Sequence, residues 1–207
     1  MIQRFPNNLN RVLPGVGKYD IPEIQPETYR PLPWIDFRYV ATSRKKERTN
    51  VHFFLADSLF ERVWTKLNHH VAQLAACGGV LSPDFSLFTD WPVAAQIWNH
   101  YRKHYVAAIL QEAGATVYPT ISWSDEQSYK WCFDGEPVKA TVAVSSVGTQ
   151  YYDNTKRLFM KGYDAMLERL QPETILFYGN VPDGCRGNIV PIEYSQKQFR
   201  GTDRCGE

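Results

Sequence analysis

Short apolar segments alternate with longer amphipathic ones along most of this sequence, and this alternation restricts the possible folds more than any other feature. From residue 51 onward, successive apolar segments are separated by enough residues for a crossover, which predicts βαβ units with right-handed connections and mutually parallel strands. About seven strands are one fewer than a closed eight-fold barrel requires. We therefore expect an α/β fold with a mainly parallel sheet, and favour a compact or incomplete (β/α) barrel over an open doubly wound sheet. The predicted strands are 34–40, 51–55, 79–81, 116–121, 139–145, 174–178 and 188–192.

Helix-start signals stand between several of these strands. Ser58 and Glu61 have the spacing of a capping box, in which two residues satisfy each other's backbone donors, and Ser124 with Gln127 repeats it. Asp90 precedes a proline by two residues and is the expected N-cap of a long helix. The predicted helices cover 58–77, 90–114, 124–135 and 153–170.

The distribution of residue types along the chain predicts three parts. A chain of 207 residues suits one domain, since proteins of this size bury about 70% of their unfolded surface. The first 33 residues hold six of the 13 prolines, which remove backbone donors and favour extended geometry. We expect an N-terminal arm (1–33) lying on a single α/β domain (34–198), followed by a C-terminal tail (199–207).

The charges of the chain nearly cancel, with 23 Lys and Arg against 22 Asp and Glu. No global field is therefore available to hold a polyanion or a membrane surface. A basic loop contains Arg44, Lys45, Lys46 and Arg48, but a solvated turn is its plainer interpretation, and about four cations are too few for tight non-specific binding to duplex nucleic acid. The N-terminus lacks a signal pattern and no apolar segment approaches the ~18 residues of a membrane span, so we expect a cytoplasmic protein with no membrane partner.

Neither the cysteines nor the histidines predict a metal site. The four cysteines are widely spaced and include no Cys-x-x-Cys pair, which predicts free thiols, with Cys205 exposed in the tail. His100 and His104 have the i, i+4 spacing of metal ligands on a helix, but no third ligand is evident. Glycine-rich phosphate-binding motifs are also missing, which weighs against ordinary dinucleotide or P-loop chemistry. The sequence therefore predicts no metal and no cofactor.

Small polar and acidic residues recur where a predicted strand ends and a helix is about to begin. The ends of parallel strands lie on one face, where such folds usually build their sites. Asp84 follows Pro83 in one of these loops and is our candidate general acid, base or nucleophile, with a turn-forming aspartate as the alternative. Asp125 is its candidate catalytic partner, although helix capping also explains it. The candidate substrate-binding residues are Ser82, Ser86, Asp90, Ser122, Trp123, Ser145, Tyr178 and Asn180.

Several of these stretches carry a resemblance to a known family. They include Leu-Ser-Pro-Asp-Phe-Ser-Leu-Phe-Thr-Asp at 81–90 and Pro-Thr-Ile-Ser-Trp-Ser-Asp at 119–125, with shorter stretches at 132–135, 142–145 and 178–179. Over roughly residues 50–180 the chain resembles a family of bacterial and phage proteins, domain of unknown function 4417. The resemblance implies a phage or mobile-element origin, hence a bacterial host cytoplasm, but no established activity. It also implies importance for Ser82, Asp84, Ser86, Ser122 and Trp123.

Two functional hypotheses from different classes remain. The first is an enzyme acting on a nucleotide, a nucleobase or its glycosidic bond, or a related small molecule. Asp84 would be the principal acid, base or nucleophile with Asp125 as its partner, and Trp123, Tyr178 or both would stack on the substrate ring. The second is a non-catalytic protein that binds a host or phage macromolecule through the proline-rich arm and the basic loop. A deep polar pocket at the strand ends would favour the first hypothesis, and a flat or filled face would favour the second.

Overall fold

The strands of the protein form two parallel sheets and one small hairpin. The computed structural model describes residues 8, 9 and 11–193, so the predicted tail and Cys205 lie outside the described residues. The hairpin pairs β1 and β2 antiparallel, and the other seven strands form sheets of four and three. The strands are β1 Gly15–Val16, β2 Ile21–Pro22, β3 Trp34–Asp36, β4 Asn50–His52, β5 Gly79–Leu81, β6 Val117–Tyr118, β7 Thr141–Ser145, β8 Thr174–Tyr178 and β9 Ile189–Pro191.

Every pairing within the two larger sheets is parallel, which confirms the predicted strand direction. The strands follow one another in chain order, without the reversal that defines a doubly wound sheet. A parallel bridge between Thr120 and Ala143 joins the two sheets. Among the described residues β3 and β9 are not paired, so the predicted α/β fold with parallel strands is confirmed but does not close into a barrel.

An apolar cluster lies inside the curve of the two sheets. Trp34 of β3 and Val190 of β9 pack against its buried members, although these two strands are the first and last of the parallel strands. Side chains from successive strands therefore meet around one interior, as they do in a barrel, although the hydrogen-bonded ring is incomplete. The buried members are Phe54, Leu81, Tyr118, Ala143, Leu176, Tyr178 and Ile192.

The helices lie between the strands, and the first is more broken than the sequence predicts. The predicted capping box of Ser58 and Glu61 is wrong. Ala56 is the N-cap and makes no side-chain hydrogen bond, while Glu61 accepts a hydrogen bond from Arg102 instead. The chain leaves helical geometry at Lys66, where ψ is 40°. The helices are α1 Asp57–Phe60, α2 Arg62–Thr65, α3 Leu67–Ala75, α4 Val93–Glu112 and α5 Asp153–Leu170.

Two other predicted helix starts are also wrong. Helix α4 begins at Val93 after Pro92, whose extended ψ of 136° places the cap there, and Asp90 lies exposed in the preceding turn. The predicted helix at 124–135 is only a 3₁₀ turn, Ser128–Lys130. The Ser124 hydroxyl does not cap it, because it donates a hydrogen bond to Gln96 Oε1 at 2.6 Å.

The proline-rich arm packs on the body along its described length. Leu13, Ile21 and Ile24 are buried, and the Ile24 N–H donates a hydrogen bond to Gly135 O at 2.9 Å. The arm therefore contributes apolar side chains to the core. In the part of the chain that the structure describes, no helix combines the length and hydropathy needed to cross a membrane.

Candidate functional site

A cavity of about 200 Å³ lies beyond the carboxyl ends of β5, β6 and β7, close to the bridge that joins the two sheets. Five predicted site residues line it: Asp84 and Ser86 after β5, Ser122 and Trp123 after β6, and Ser145 at the end of β7. Thr149 adds a further hydroxyl. The apolar wall consists of Phe85, Leu87, Phe88, Ile121, Val147 and Phe159.

Two of the other predicted site residues have structural positions. The Ser82 hydroxyl accepts a hydrogen bond from Thr120 N at 2.8 Å, while Thr120 Oγ1 donates to Ser82 O at 2.9 Å, so Ser82 links β5 to the segment after β6. Tyr178 is buried in the interior cluster and stacks on Phe54 with ring centroids 4.8 Å apart. Neither residue is among those that line the cavity.

Three more predicted residues also lie away from the cavity lining. Asn180 is exposed, and its backbone oxygen accepts a hydrogen bond from the Ser146 hydroxyl at 2.6 Å. Asp125 accepts hydrogen bonds from Gln127 N at 2.9 Å and Ser128 N at 3.3 Å, which is the contact of an Asx turn. The structure does not bring Asp125 into the cavity with Asp84, and Asp90 is also absent from the lining.

The loop that carries Asp84 is held in place by contacts of the next two residues, Phe85 and Ser86. Asp57, in the first turn of α1, accepts hydrogen bonds from the Ser86 hydroxyl at 2.8 Å and from Ser86 N at 3.1 Å. Asn99 of α4 donates to Ser86 O at 2.7 Å. The Phe85 ring is buried between Phe60 and Arg102, whose guanidinium lies 3.7 Å from the ring centroid. Such a contact fixes the loop and therefore fixes where Asp84 stands.

The Asp84 carboxyl group is electrostatically unusual. Although the residue keeps some contact with solvent, burial of its carboxyl group by surrounding protein raises its pKa from 3.8 to about 7; Lys103 opposes the rise and Asp57 adds to it. Among the described residues no side chain or backbone group donates it a hydrogen bond that would stabilise its ionised form. A carboxylic acid with this pKa exchanges its proton near neutral pH.

The hydroxyl groups around Asp84 retain hydrogen-bonding capacity. Ser86 uses its hydroxyl proton on Asp57 and can still accept. The Ser145 hydroxyl accepts from Val147 N at 3.2 Å and can still donate. The Trp123 ring packs against Phe159 with centroids 5.5 Å apart, and a Cβ atom at the buried Gly162 of α5 would overlap the indole. The cavity therefore combines a titratable acid, several hydroxyls and a fixed aromatic wall.

A second polar cluster lies buried beside α4, and it contains a residue that the sequence did not point to. Glu136 is fully enclosed, and its Oε1 accepts from Lys103 Nζ at 2.5 Å while lying 3.0 Å from His104 Nε2. Lys103 also donates to Thr120 O at 2.9 Å. No local pattern distinguishes Glu136 from Asp134, the other acid that follows the apolar stretch 131–133, because the partners of Glu136 lie more than 30 residues earlier in the chain.

A larger cavity of about 520 Å³ lies between the 3₁₀ turn after β3 and helices α2 and α3. Its lining includes Arg62, Lys66, His69 and the buried His70. Burial lowers the pKa of His70 to about 4, and the neighbouring positive groups add to this effect. No carboxylate or hydroxyl group is among its lining residues, so it offers fewer chemical options than the Asp84 cavity.

Sequence comparisons place this α/β chain in a family that is also found in bacteriophages. Residues 13–195 match the family described as Domain of unknown function (DUF4417), and the chain belongs to that family. The predicted resemblance is thereby confirmed, over a longer stretch than the motifs alone indicated.

Two relatives come from mycobacteriophages. The chain is 37% identical over 179 residues to the "Gene 1 protein" of Mycobacterium phage D29, a match that covers 84% of this chain and 65% of that protein. It is 34% identical over 177 residues to the "Gene 1 protein" of Mycobacterium phage L5, covering 84% of this chain and 77% of that protein. No solved structure matches the chain. The protein is therefore phage-associated by its relatives, whose names state no activity.

Proposed function

We propose that the cavity beside Asp84 binds a small, uncharged molecule with a planar ring, of the nucleobase or nucleoside class, and that Asp84 transfers a proton to or from it. The observation that carries this proposal is the convergence of Asp84, Ser86, Ser122, Trp123 and Ser145, from three consecutive strand ends, on one cavity. Ligands of parallel α/β proteins commonly bind at this edge of the sheet.

The composition of the lining favours an uncharged ligand over a nucleotide phosphate. None of the described residues that line the cavity is Lys, Arg or His. A phosphate placed there would lie beside Asp84 without a cation to compensate its charge, which is unfavourable in a partly desolvated site. The hydroxyls of Ser122 and Ser145 suit the carbonyl, amino and hydroxyl groups of bases and sugars instead.

The size of the cavity and its aromatic wall favour a small ring. A volume of about 200 Å³ is below the roughly 300–1,000 Å³ typical of sites for drug-sized ligands. Trp123 and the half-exposed Phe88 supply flat surfaces for stacking. A base, or a base with part of its sugar, fits these limits.

Asp84 is suited to acid–base work because its pKa of about 7 lies close to neutral pH. Glycosidic-bond hydrolysis of the usual kind needs two carboxyl groups flanking the bond. Since no second carboxylate is among the lining residues, the cavity supports chemistry that one proton-transfer group and hydroxyl contacts can perform.

The macromolecule-binding alternative has less support. The arm on which it depends buries Leu13, Ile21 and Ile24 against the body, so these side chains are not available to a partner. The basic loop keeps Arg44, Lys45 and Arg48 exposed, but Glu47 lies between them and reduces the local charge.

The proposal is tested by isothermal titration with matched pairs of nucleosides and nucleoside monophosphates. We expect at least one uncharged nucleoside or base to bind, with its phosphorylated counterpart at least tenfold weaker. Asp84→Asn should weaken binding by at least tenfold, because the Asn side chain cannot transfer the proton and presents a different hydrogen-bonding pattern. Asp125→Asn is the matched control and should bind as the wild type does.

Catalysis is tested on whichever nucleoside binds, by chromatographic detection of products across about pH 5–9. The rate should change with an inflection near pH 7 that Asp84→Asn removes. Equal binding of the phosphorylated and uncharged ligands, or unaltered binding by Asp84→Asn, would contradict the proposal.

A further inference from the structure

Two histidines and one glutamate meet in the interior of the protein. His100, His104 and Glu136 each offer a ligand atom, and these atoms all lie within 4.8 Å of one another. His100 and His104 are one turn apart on α4, with ring centroids separated by 4.4 Å, and all three residues are buried. Helical i, i+4 spacing presents two imidazoles on one face, a common arrangement for metal ligands.

The hydrogen bonds of the two imidazoles fix their tautomers. His104 Nδ1 lies 2.8 Å from Pro22 O, and His100 Nε2 lies 3.1 Å from Asp134 O. Because a carbonyl oxygen only accepts, each of these nitrogens carries a proton. The opposite nitrogens, His104 Nε2 and His100 Nδ1, then present lone pairs when the rings are neutral. A histidine that donates its other N–H to a backbone carbonyl is the usual arrangement of a metal-binding imidazole.

The facing atoms of this cluster lack the donors that they need. Among the described residues, His100 Nδ1 and Glu136 Oε2 are buried without a hydrogen-bond partner. The His104 Nε2 lone pair faces Glu136 Oε1 at 3.0 Å, although that oxygen already accepts from Lys103. Two acceptors at this distance require a proton or a cation between or beside them.

We propose that His100 Nδ1, His104 Nε2 and a Glu136 carboxylate oxygen form a binding site for a divalent first-row transition-metal ion, with zinc as the reference ion. Two imidazoles and one carboxylate are a donor set that zinc and iron(II) proteins use. With Glu136 Oε2 as the ligand atom, Lys103 would remain hydrogen-bonded to Oε1 and so orient the carboxylate.

The position of the site indicates a structural role for the ion. The two histidines lie on α4. The backbone oxygens that accept their hydrogen bonds belong to Pro22 in the arm and to Asp134 in the 133–136 turn. Gly135 adjoins both, and a Cβ atom there would come within 2.6 Å of Pro22 O and 2.9 Å of His104 Nδ1. A bound ion would therefore hold three separate segments together, namely the arm, the central helix and the 133–136 turn.

The first experiment uses the wild-type protein with zinc and with cobalt(II) as probes. Chelator-treated protein should bind one ion per chain, and cobalt(II) should give visible d–d absorption that zinc displaces. Zinc at about 100 times its Kd should raise the Tm by roughly 5 to 10 °C, and chelator should reverse the shift. A folded, chelator-treated protein that gives neither the cobalt spectrum nor the Tm shift would overturn the proposal.

Variants locate the ion. His100→Gln should lower zinc affinity by at least about 100-fold, since loss of a direct ligand should cost no less than loss of an outer-shell partner. His69→Gln, at an exposed histidine of α3, is the control and should leave the affinity unchanged. If the His100 variant does not fold, the wild-type cobalt spectrum decides, because nitrogen ligation alters it in a way that surface carboxylates do not. Equal zinc affinity in both variants would refute the assignment.

Discussion

Asp84 and Glu136 are both acids whose carboxyl groups are enclosed by protein, yet their pKa values move in opposite directions. Burial raises the pKa of Asp84, and no nearby donor compensates. Burial also acts to raise the pKa of Glu136, but neighbouring positive charge, first that of Lys103, outweighs it and lowers the value. The difference teaches that enclosure alone does not decide whether a buried acid is ionised; the cations and donors in contact with it do. The same fold thus holds one acid ready to exchange protons and another fixed as an anion.

Removing the fixed anion should have the largest effect. Glu136→Gln leaves the buried Lys103 ammonium without a counter-charge, and breaking a buried pair in this way costs about 3–5 kcal/mol. The free energy of unfolding should be measured by chemical denaturation with chelator present, so that no metal contributes. Glu112→Gln removes the acid of an exposed pair with Arg11 and should cost less than about 1 kcal/mol. A similar loss of unfolding free energy in the two variants would contradict the view that Glu136 is held as an anion by Lys103.

Replacing Asp84, which accepts no hydrogen bond from the described residues, with a neutral residue should increase the free energy of unfolding instead of lowering it. Its folded pKa lies above its unfolded value, so its ionisation destabilises the fold progressively from about pH 4 to about pH 7 and by a constant amount above that. Asp84→Asn should therefore stabilise the protein by about 2–4 kcal/mol at pH 8, since each pKa unit is about 1.4 kcal/mol.

The pH dependence is the decisive part of this measurement. The advantage of Asp84→Asn over the wild type should shrink as the pH falls and approach zero below about pH 4, where the acid is protonated in both the folded and the unfolded protein. Denaturation midpoints at several pH values between these limits check it. A variant that is less stable than the wild type at pH 8 would show that Asp84 makes a structural contact.

The smallest effect is expected at Asp125, an acid that is neither enclosed nor in the cavity. Asp125→Ala removes the side chain that accepts from Gln127 N and Ser128 N, and the net loss of such a hydrogen bond costs about 0.5–1.5 kcal/mol. A short 3₁₀ turn should fall at the lower end of this range. Thermal denaturation measures the change, and ligand binding by this variant should match the wild type. Loss of ligand binding in Asp125→Ala would show that Asp125 belongs to the binding site.

The strand order and much of the cavity could be predicted because both follow from local patterns. Apolar segments separated by crossover-length stretches require parallel strands, and polar residues after such strands must gather at one edge. Asp84, Ser86, Ser122, Trp123 and Ser145 do so.

The missed features depend on long-range contacts. Glu61 has capping-box spacing, but Arg102, far along the chain, attracts its carboxylate. Glu136 meets His104 only because the 133–136 turn folds back onto α4, and no spacing rule links those positions. Asp125 and Asp90 show a different limit, since the same acidic residue suits a cap, a turn or a site until the backbone around it is known.

The indole of Trp123 lies where it does because α5 has glycine at position 162, and this has an evolutionary consequence. A single methyl group added on that helix would displace the ring and narrow the cavity, although position 162 itself is not among the lining residues. Ligand preference within the family can therefore diverge through a residue that no ligand touches. Members with a larger residue at the position equivalent to 162 should carry a smaller one at the position equivalent to 123, so that the two positions covary.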